Sequence, residues 1–406
     1  MRNLIDRRQA RFCRVRAART LAGLVILSAA ACRRDGAAGV DGAVGTGGIG
    51  GAPGVGGAGG GAPGDAGTGG VGGAGAAAGG SGGTIDAGPP VTPLRVAAAS
   101  TGRLIGAAIG ASHLSEAAYA ATAAREFDFV TPENEMKWDA TEPTQNTFTF
   151  AGGDAITAFA QQNGMQVKGH TLVWHSQLPA WVSTIGDATT LHAAMINHIT
   201  QVASHFRGQV VAWDVVNEAV ADGGQGLRNS IFYQLLGAGY IDDAFNAARA
   251  ADPGAVLIYN DYGAEGAGAK SDYVYNLVKG MLARGVPIGG VGLQMHTGSA
   301  DMTPSAAEVA SNMQRLEALG LNVFVSEMDV QLCSNGTLDA QSARFEAIVA
   351  DCLTQPLCLA VTVWGVTDKY SWLNGMTCAT PQPLLFDGNF APKPAHMGVL
   401  NALLGN

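Results

Sequence analysis

The stretch WDVVNEA, Trp213 to Ala219, runs through a mostly apolar segment straight into an amide and a carboxylate, Asn217 and Glu218. Taken alone, the pair reads equally well as a helix cap or a turn, because short polar side chains satisfy free backbone groups at such places. Recurrence decides between capping and function. Similar runs begin at 104 (LIGAAIG), 128 (DFVTPEN), 166 (QVKGHTLVW), 256 (VLIYNDY), 290 (GVGLQMH), 322 (NVFVSEMDV) and 360 (AVTVWGVTD). With VVAWDVVNE at 210 they make eight.

Helix-length amphipathic segments separate the runs. In SAAEVASNMQRLEALG (305–320), Val309, Met313, Leu316 and Leu319 recur at helical spacing and Gly320 marks the end. Near-continuously apolar strands alternating with helices predict a parallel sheet covered on its outer face, and eight such units fit an α/β fold of the (β/α)8 TIM-barrel type. An open doubly wound sheet is the alternative, but no glycine fingerprint follows any strand.

Seven of the eight runs end in polar or aromatic groups: Glu133-Asn134, His170 with Trp174-His175, Asn217-Glu218, Asn260-Asp261, Gln294 and His296, Glu327 and Asp329, Trp364 and Asp368. Capping explains one or two of these, not a polar set at the same end of nearly every strand. In a barrel those ends converge on one face, where active sites sit. The set contains no Cys/His cluster at metal spacing, no serine elbow and no cofactor fingerprint, so neither metal nor cofactor is expected. It does contain two glutamates, Glu218 and Glu327, that end different strands among many indoles. Paired carboxylates with aromatic platforms are the equipment for cleaving glycosidic bonds.

The motifs TPENEMKW, GHTLVWHSQLPAW, WDVVNEA, GVGLQMH, SEMDV and TVWGVTDKYSW occur in that order, followed by PLLFDGNFAPKPA. Together they resemble glycoside hydrolase family 10, the endo-β-1,4-xylanases, across residues 95–404. Two departures stand out: Ser326 where the family usually has Thr, and His396 where Tyr is common. The resemblance implies retaining hydrolysis of internal β-1,4 bonds of xylan and xylo-oligosaccharides, with Glu218 as acid/base and Glu327 as nucleophile. It further implies that Glu133, Asn134, Lys137, His170 and Gln177 bind sugars on the non-reducing side of the cut, and that Trp174, Trp364 and Trp372 wall the cleaved residue.

Alternation along a strand puts Glu327 with Asp329 on one face and Gln294 with His296 on another, so His296 is expected to sit between the carboxylates and orient Glu327. A lone histidine is ordinarily a satisfied core residue; its place after Gln294 at a strand end reverses that reading. Adjacent Asn217 and Glu218 would face opposite ways on a regular strand, which predicts a bulge or strand end there, with Asn217 reaching the sugar 2-hydroxyl. Trp138, Trp181 and Trp213 read equally well as core, and Asn260-Asp261 reads as structural rather than substrate-binding.

The first ninety residues differ from the rest. Seven arginines precede the apolar run LAGLVILSAAA, too short to span a bilayer as a mature helix, so residues 1–31 read as an export signal. Cleavage near Ala31 and lipid attachment at Cys32 both remain open, and Arg7-Arg8 leaves the twin-arginine route open as well. Residues 32–90, almost wholly Gly and Ala, lack the side chains for a core and read as a disordered tether, with the barrel over 91–406.

Seven of the 24 basic and one of the 33 acidic residues fall within 1–31, leaving 17 basic against 32 acidic in the remainder. That balance argues against nucleic acid and an anionic membrane surface. Apart from Cys13 and Cys32, four cysteines remain, and an oxidising compartment favours disulfides over metal. The short loop pairs Cys352 with Cys358 and leaves Cys333 for Cys378. The expected protein is a secreted or surface-tethered monomer. Two competing readings are a relative of the same fold acting on cellulose-like aryl glucosides and a non-catalytic xylan-binding protein; retention of both glutamates weighs against the latter.

Overall fold

Runs rich in Val, Ile and Leu form nine strands that pair only in parallel in the computed structural model, which describes residues 92–300 and 302–405. They are β1 (Leu104–Ile109), β2 (Phe129–Pro132), β3 (Gln166–Trp174), β4 (Val210–Asn217), β5 (Val256–Asp261), β6 (Gly290–Leu293), β7 (His296–Gly298), β8 (Asn322–Gln331) and β9 (Cys358–Val363). Neighbours pair in sequence from β1 to β6, β6 pairs with β8, β8 with β9, and β9 with β1. Eight strands thus close into a barrel, and β7 is a short extension paired to β8 alone. Intervening helices cover the outside, as parallel strands with two apolar faces require.

The run expected as one strand from 290 is broken. Gln294 lies between β6 and β7, and Met295 adopts φ 65°. Regular alternation is therefore not what brings Gln294 and His296 to one site; a left-handed residue between them re-aims the chain. The helix read from 305 spans Ala306–Glu317 and buries Val309, Met313 and Leu316. Ser305 and Glu308 cap it reciprocally, satisfying backbone donors that the first turn leaves free.

Both expected disulfides form. Cys352–Cys358 closes the turn before β9 with Cα atoms 5.3 Å apart, and Cys333–Cys378 joins the loops after β8 and β9 at 5.9 Å. His396 lies away from the strand ends: its Nε2 meets Glu126 at 3.1 Å, and Glu126 also accepts from the Leu94 N–H at 3.0 Å. This carboxylate therefore ties the first and last helices of the barrel together. Burial opposes its ionisation, but the bonds from His396, Leu94 and Arg125 outweigh burial and hold its pKa low. The segments read as signal and tether, with Cys13 and Cys32, lie outside the described residues. Among those residues no helix is long and apolar enough to cross a membrane.

Trp213 is fully buried core, and Gly169 is its register partner on β3. A Cβ on Gly169 would stand 2.2 Å from the indole ring, so the strand beside His170 has room only for glycine. Gly169→Ala is expected to lower unfolding stability by about 1–3 kcal/mol through overpacking, read from the denaturant midpoint. An unchanged midpoint would mean that the ring moves aside freely.

Candidate active site

The strands that carry most of the polar set lose their regular register near their C-terminal ends. Shifts occur between His170 and Val173 on β3, between Asp214 and Val216 on β4, and between Val325 and Met328 on β8. Such irregularities re-aim side chains that strict alternation would send elsewhere. Strand β4 stops at Asn217, and Glu218 follows with φ 57°, so the expected strand end lets both side chains reach the same cluster.

Glu327 is buried and surrounded by donors. Asn260 Nδ2 donates to its Oε1 at 2.6 Å, His296 Nε2 lies 3.3 Å from Oε2, and His170 Nδ1 is 3.9 Å away. Burial alone would raise its pKa, but the His296 bond and the charges of His170, His296 and Lys168 outweigh burial and bring it down to about 2. His296 does stand between two carboxylates: its Nδ1 meets Asp329 at 2.9 Å. Burial disfavours its cation, yet Asp329 and Glu327 raise its pKa well above the ordinary value.

Glu218 meets a different set. Trp174 Nε1 donates to its Oε2 at 2.8 Å, Gln294 Nε2 to Oε1 at 3.1 Å and Asn217 Nδ2 to Oε1 at 3.3 Å, all uncharged donors. An amide relay links the two glutamates, because Asn260 Nδ2 donates both to Asn217 Oδ1 (2.8 Å) and to Glu327. The Glu327 carboxylate, which can only accept, fixes the direction of that relay by requiring the Asn260 amide nitrogen, and the Ser326 hydroxyl then donates to Asn260 Oδ1 at 2.6 Å. The serine that departs from the family pattern therefore supplies a hydroxyl where the pattern has threonine.

Beside this cluster lie the residues expected to bind sugar. Lys137 Nζ donates to Asn134 Oδ1 at 2.9 Å and Gln177 Oε1 at 2.6 Å and stands 5.0 Å over the Trp174 ring. Burial pushes Glu133 up to about 7 against the opposing charge of Lys137. His170 packs edge-on to Trp364 at 5.2 Å. Trp372 keeps 38% of its surface exposed while its Nε1 donates to Asp329 at 2.9 Å, which leaves an accessible indole at the edge of the cluster. Trp138 is buried against His198, and Trp181 is half-buried with its Nε1 on the Glu142 carbonyl; neither joins the site.

Three contributors escaped the sequence reading. Asp214 and Lys168 form a buried ion pair beneath His170, whose Nδ1 meets Asp214 Oδ2 at 2.9 Å. Lone charges inside apolar strands carried the signal, since a buried charge without a partner is costly. Asn260, read as structural, does hold structure, but inside the site. His170, Asp214 and Glu327 also bring three donor atoms within 4.8 Å of one another. The Lys168 ammonium already neutralises that group at Asp214, which makes it a poor cation site on the chemistry of its members.

Residues 93–402 match the model of glycosyl hydrolase family 10. Endo-1,4-beta-xylanase B of Thermotoga neapolitana is 41% identical over 315 residues, 76% of this chain and 90% of that protein. An endo-1,4-beta-xylanase of Agaricus bisporus is 39% identical, covering 74% and 90%. Native xylanase 10B of Thermotoga maritima superposes with a TM-score of 0.74 at 40% identity over 77% of this chain and 98% of that one. Xylanase 10B of Thermotoga petrophila, solved with xylobiose, gives 0.74 at 39% identity over 77% and 97%.

Proposed function

Because this chain belongs to glycosyl hydrolase family 10, we propose that Glu327 is the nucleophile and Glu218 the acid/base of its double displacement. The enzyme is an endo-1,4-β-xylanase that cleaves internal β-1,4 bonds of xylan with retention. One observation carries the assignment of roles. Glu327 is held as an anion by charged and hydrogen-bonded partners, as an attacking carboxylate must be, whereas the three hydrogen bonds to Glu218 come from the neutral groups of Trp174, Gln294 and Asn217, with His175 Nδ1 farther off at 3.9 Å.

In the first step Glu218 gives its proton to the leaving oxygen while Glu327 attacks the anomeric carbon, forming a glycosyl-enzyme. In the second, the Glu218 carboxylate takes a proton from water, which enters from the face that the leaving group vacated, displaces the Glu327 carboxylate and restores β configuration. Retention places the two carboxyl groups about 5–5.5 Å apart. Asn217, held by Asn260 and Gln294, is placed to bond the sugar 2-hydroxyl, a contact that strengthens as positive charge develops at the anomeric carbon. His296 and Asp329 keep Glu327 ionised and oriented. Glu133, Asn134, Lys137, His170 and Gln177 bind the non-reducing side, with Trp174, Trp364 and Trp372 as walls. The reading extends to export, with the barrel acting as a monomer outside the cell; two disulfides within the barrel support an oxidising compartment.

Proton NMR of the earliest products from xylan tests the mechanism: β-anomer is expected first, and α-anomer first would overturn it. A pH profile tests the role of His296. The ionised carboxylate is the attacking form, and the His296 bond lowers its pKa, so His296→Ala is expected to move the acidic limb of kcat/KM to higher pH. A limb that stays in place would remove His296 from the control of Glu327.

A further inference from the structure

The loop after β4 carries charged groups that the displacement does not use. Glu218 sits in the left-handed region, at φ 57°, a conformation that costs energy for a residue with a side chain. Two contacts hold its backbone: the Glu218 N–H donates to the Asn260 carbonyl at 2.8 Å, and the Glu218 carbonyl accepts from Arg228 Nε at 3.0 Å. The chain reaches Arg228 through a tight excursion in which Val220 bridges Leu227 antiparallel and the Arg228 N–H bonds the Ala219 carbonyl at 2.7 Å. At the tip, Gly224 adopts φ 67°, and a Cβ there would stand 2.4 Å from the Lys270 nitrogen, so the excursion is seated on the start of the helix Ala269–Ala283.

The far end of the guanidinium is fixed as well. Arg228 Nη2 donates to Asp222 Oδ1 at 2.6 Å and to the Tyr262 hydroxyl at 3.0 Å, and Tyr262 in turn donates to Asp222. The Lys270 ammonium lies 3.6 Å above the Tyr262 ring and 2.9 Å from Asp261. Arg228 thus uses separate edges of one rigid fork for two tasks, which a lysine cannot do.

We propose that Arg228 is a positioning residue for the acid/base: by gripping the Glu218 carbonyl it fixes the left-handed peptide and aims the carboxyl group at the leaving oxygen. The inference rests on the acid/base role of Glu218. Proton delivery is sensitive to such aim, because a misplacement of about 1 Å can cost on the order of 100-fold in rate. Nucleophilic attack by Glu327 does not depend on that grip, since its carboxylate is held by Asn260 Nδ2 and His296, neither of which is bonded to Arg228.

Leaving-group dependence separates aim from general damage. Arg228→Lys, Asp222→Asn and Glu218→Ala are compared with the parent enzyme on xylan and on a 2,4-dinitrophenyl β-xylobioside, reading the pre-steady-state burst on the aryl substrate. Arg228→Lys is expected to lose about 10- to 100-fold on xylan, part of the full contribution of general acid catalysis, while the aryl burst rate falls far less. Asp222→Asn, a change at a side chain that is 64% exposed, is expected to show the same split in smaller measure. Equal losses on both substrates, or no loss on xylan, in both variants would overturn the proposal. If Glu218→Ala itself shows no split, the acid/base assignment fails first; a split in Glu218→Ala but in neither of the other variants refutes the role of Arg228 alone.

Discussion

Glu327→Ala is expected to lose turnover on xylan and on activated aryl xylobiosides alike, by on the order of 10⁵- to 10⁶-fold, the scale reached when a hydrolase loses its nucleophile. No leaving group compensates for a missing attacking atom, so substrate activation gives no rescue. Glu327 is held by Asn260 at 2.6 Å, by His296 at 3.3 Å and by the nearby charges of His170 and Lys168, each of which has a second partner. His296 keeps Asp329 as a partner in the variant, and Asp214 keeps both Lys168 and His170. The fold therefore tolerates the change better than the chemistry does. Stopped-flow release of the aryl alcohol is the direct measurement, with the melting temperature as the check on folding. A burst from this variant would remove Glu327 from the nucleophile role.

The barrel was legible because its strands are apolar on both faces and its helices on one, which makes the two kinds of segment differ in period. Closure of β9 onto β1 follows from counting eight units, and the polar ends of the strands marked the face to examine. Adjacent Asn217 and Glu218 gave away the end of β4, since no regular strand aims neighbours at one target. The break between Gln294 and His296 was not legible. It depends on Met295 adopting φ 65°, and methionine carries no local preference for that region that would announce it.

Asn260 exposes a deeper limit of reading residues one at a time. Its amide joins Asn217 on β4 to Glu327 on β8, with the Glu327 carboxylate setting its direction and Ser326 bonding its oxygen, so its role exists only once three strands are side by side. Lys168 and Asp214 are similar, 46 residues apart in sequence and paired across neighbouring strands. Each taken alone was an odd charge in an apolar run. Register turns the two anomalies into one buried ion pair beneath His170. Arg228 was less legible still, because its contact is with a backbone carbonyl and no pattern of side chains predicts that.

Glu218→Ala separates the two glutamates by role. Xylan departs as a poorly acidic sugar alcohol, so without a proton donor its cleavage is expected to fall by about 10³- to 10⁴-fold, the upper part of the general acid range. A dinitrophenyl leaving group departs as a stable anion and needs no proton. On that substrate the variant should still form the glycosyl-enzyme rapidly and then stall, because the same carboxylate must activate the incoming water. Azide, an anionic nucleophile that needs no deprotonation, should relieve the stall and give a β-glycosyl azide, since attack still comes from the face that Glu218 occupied. The pattern turns on geometry as well as acidity: Trp174, Gln294 and Asn217 fix the Glu218 carboxyl group, and removing it opens room there for a small anion. A burst from Glu327→Ala and none from Glu218→Ala would reverse the roles, and an α-glycosyl azide would place the acid/base on the opposite face of the sugar.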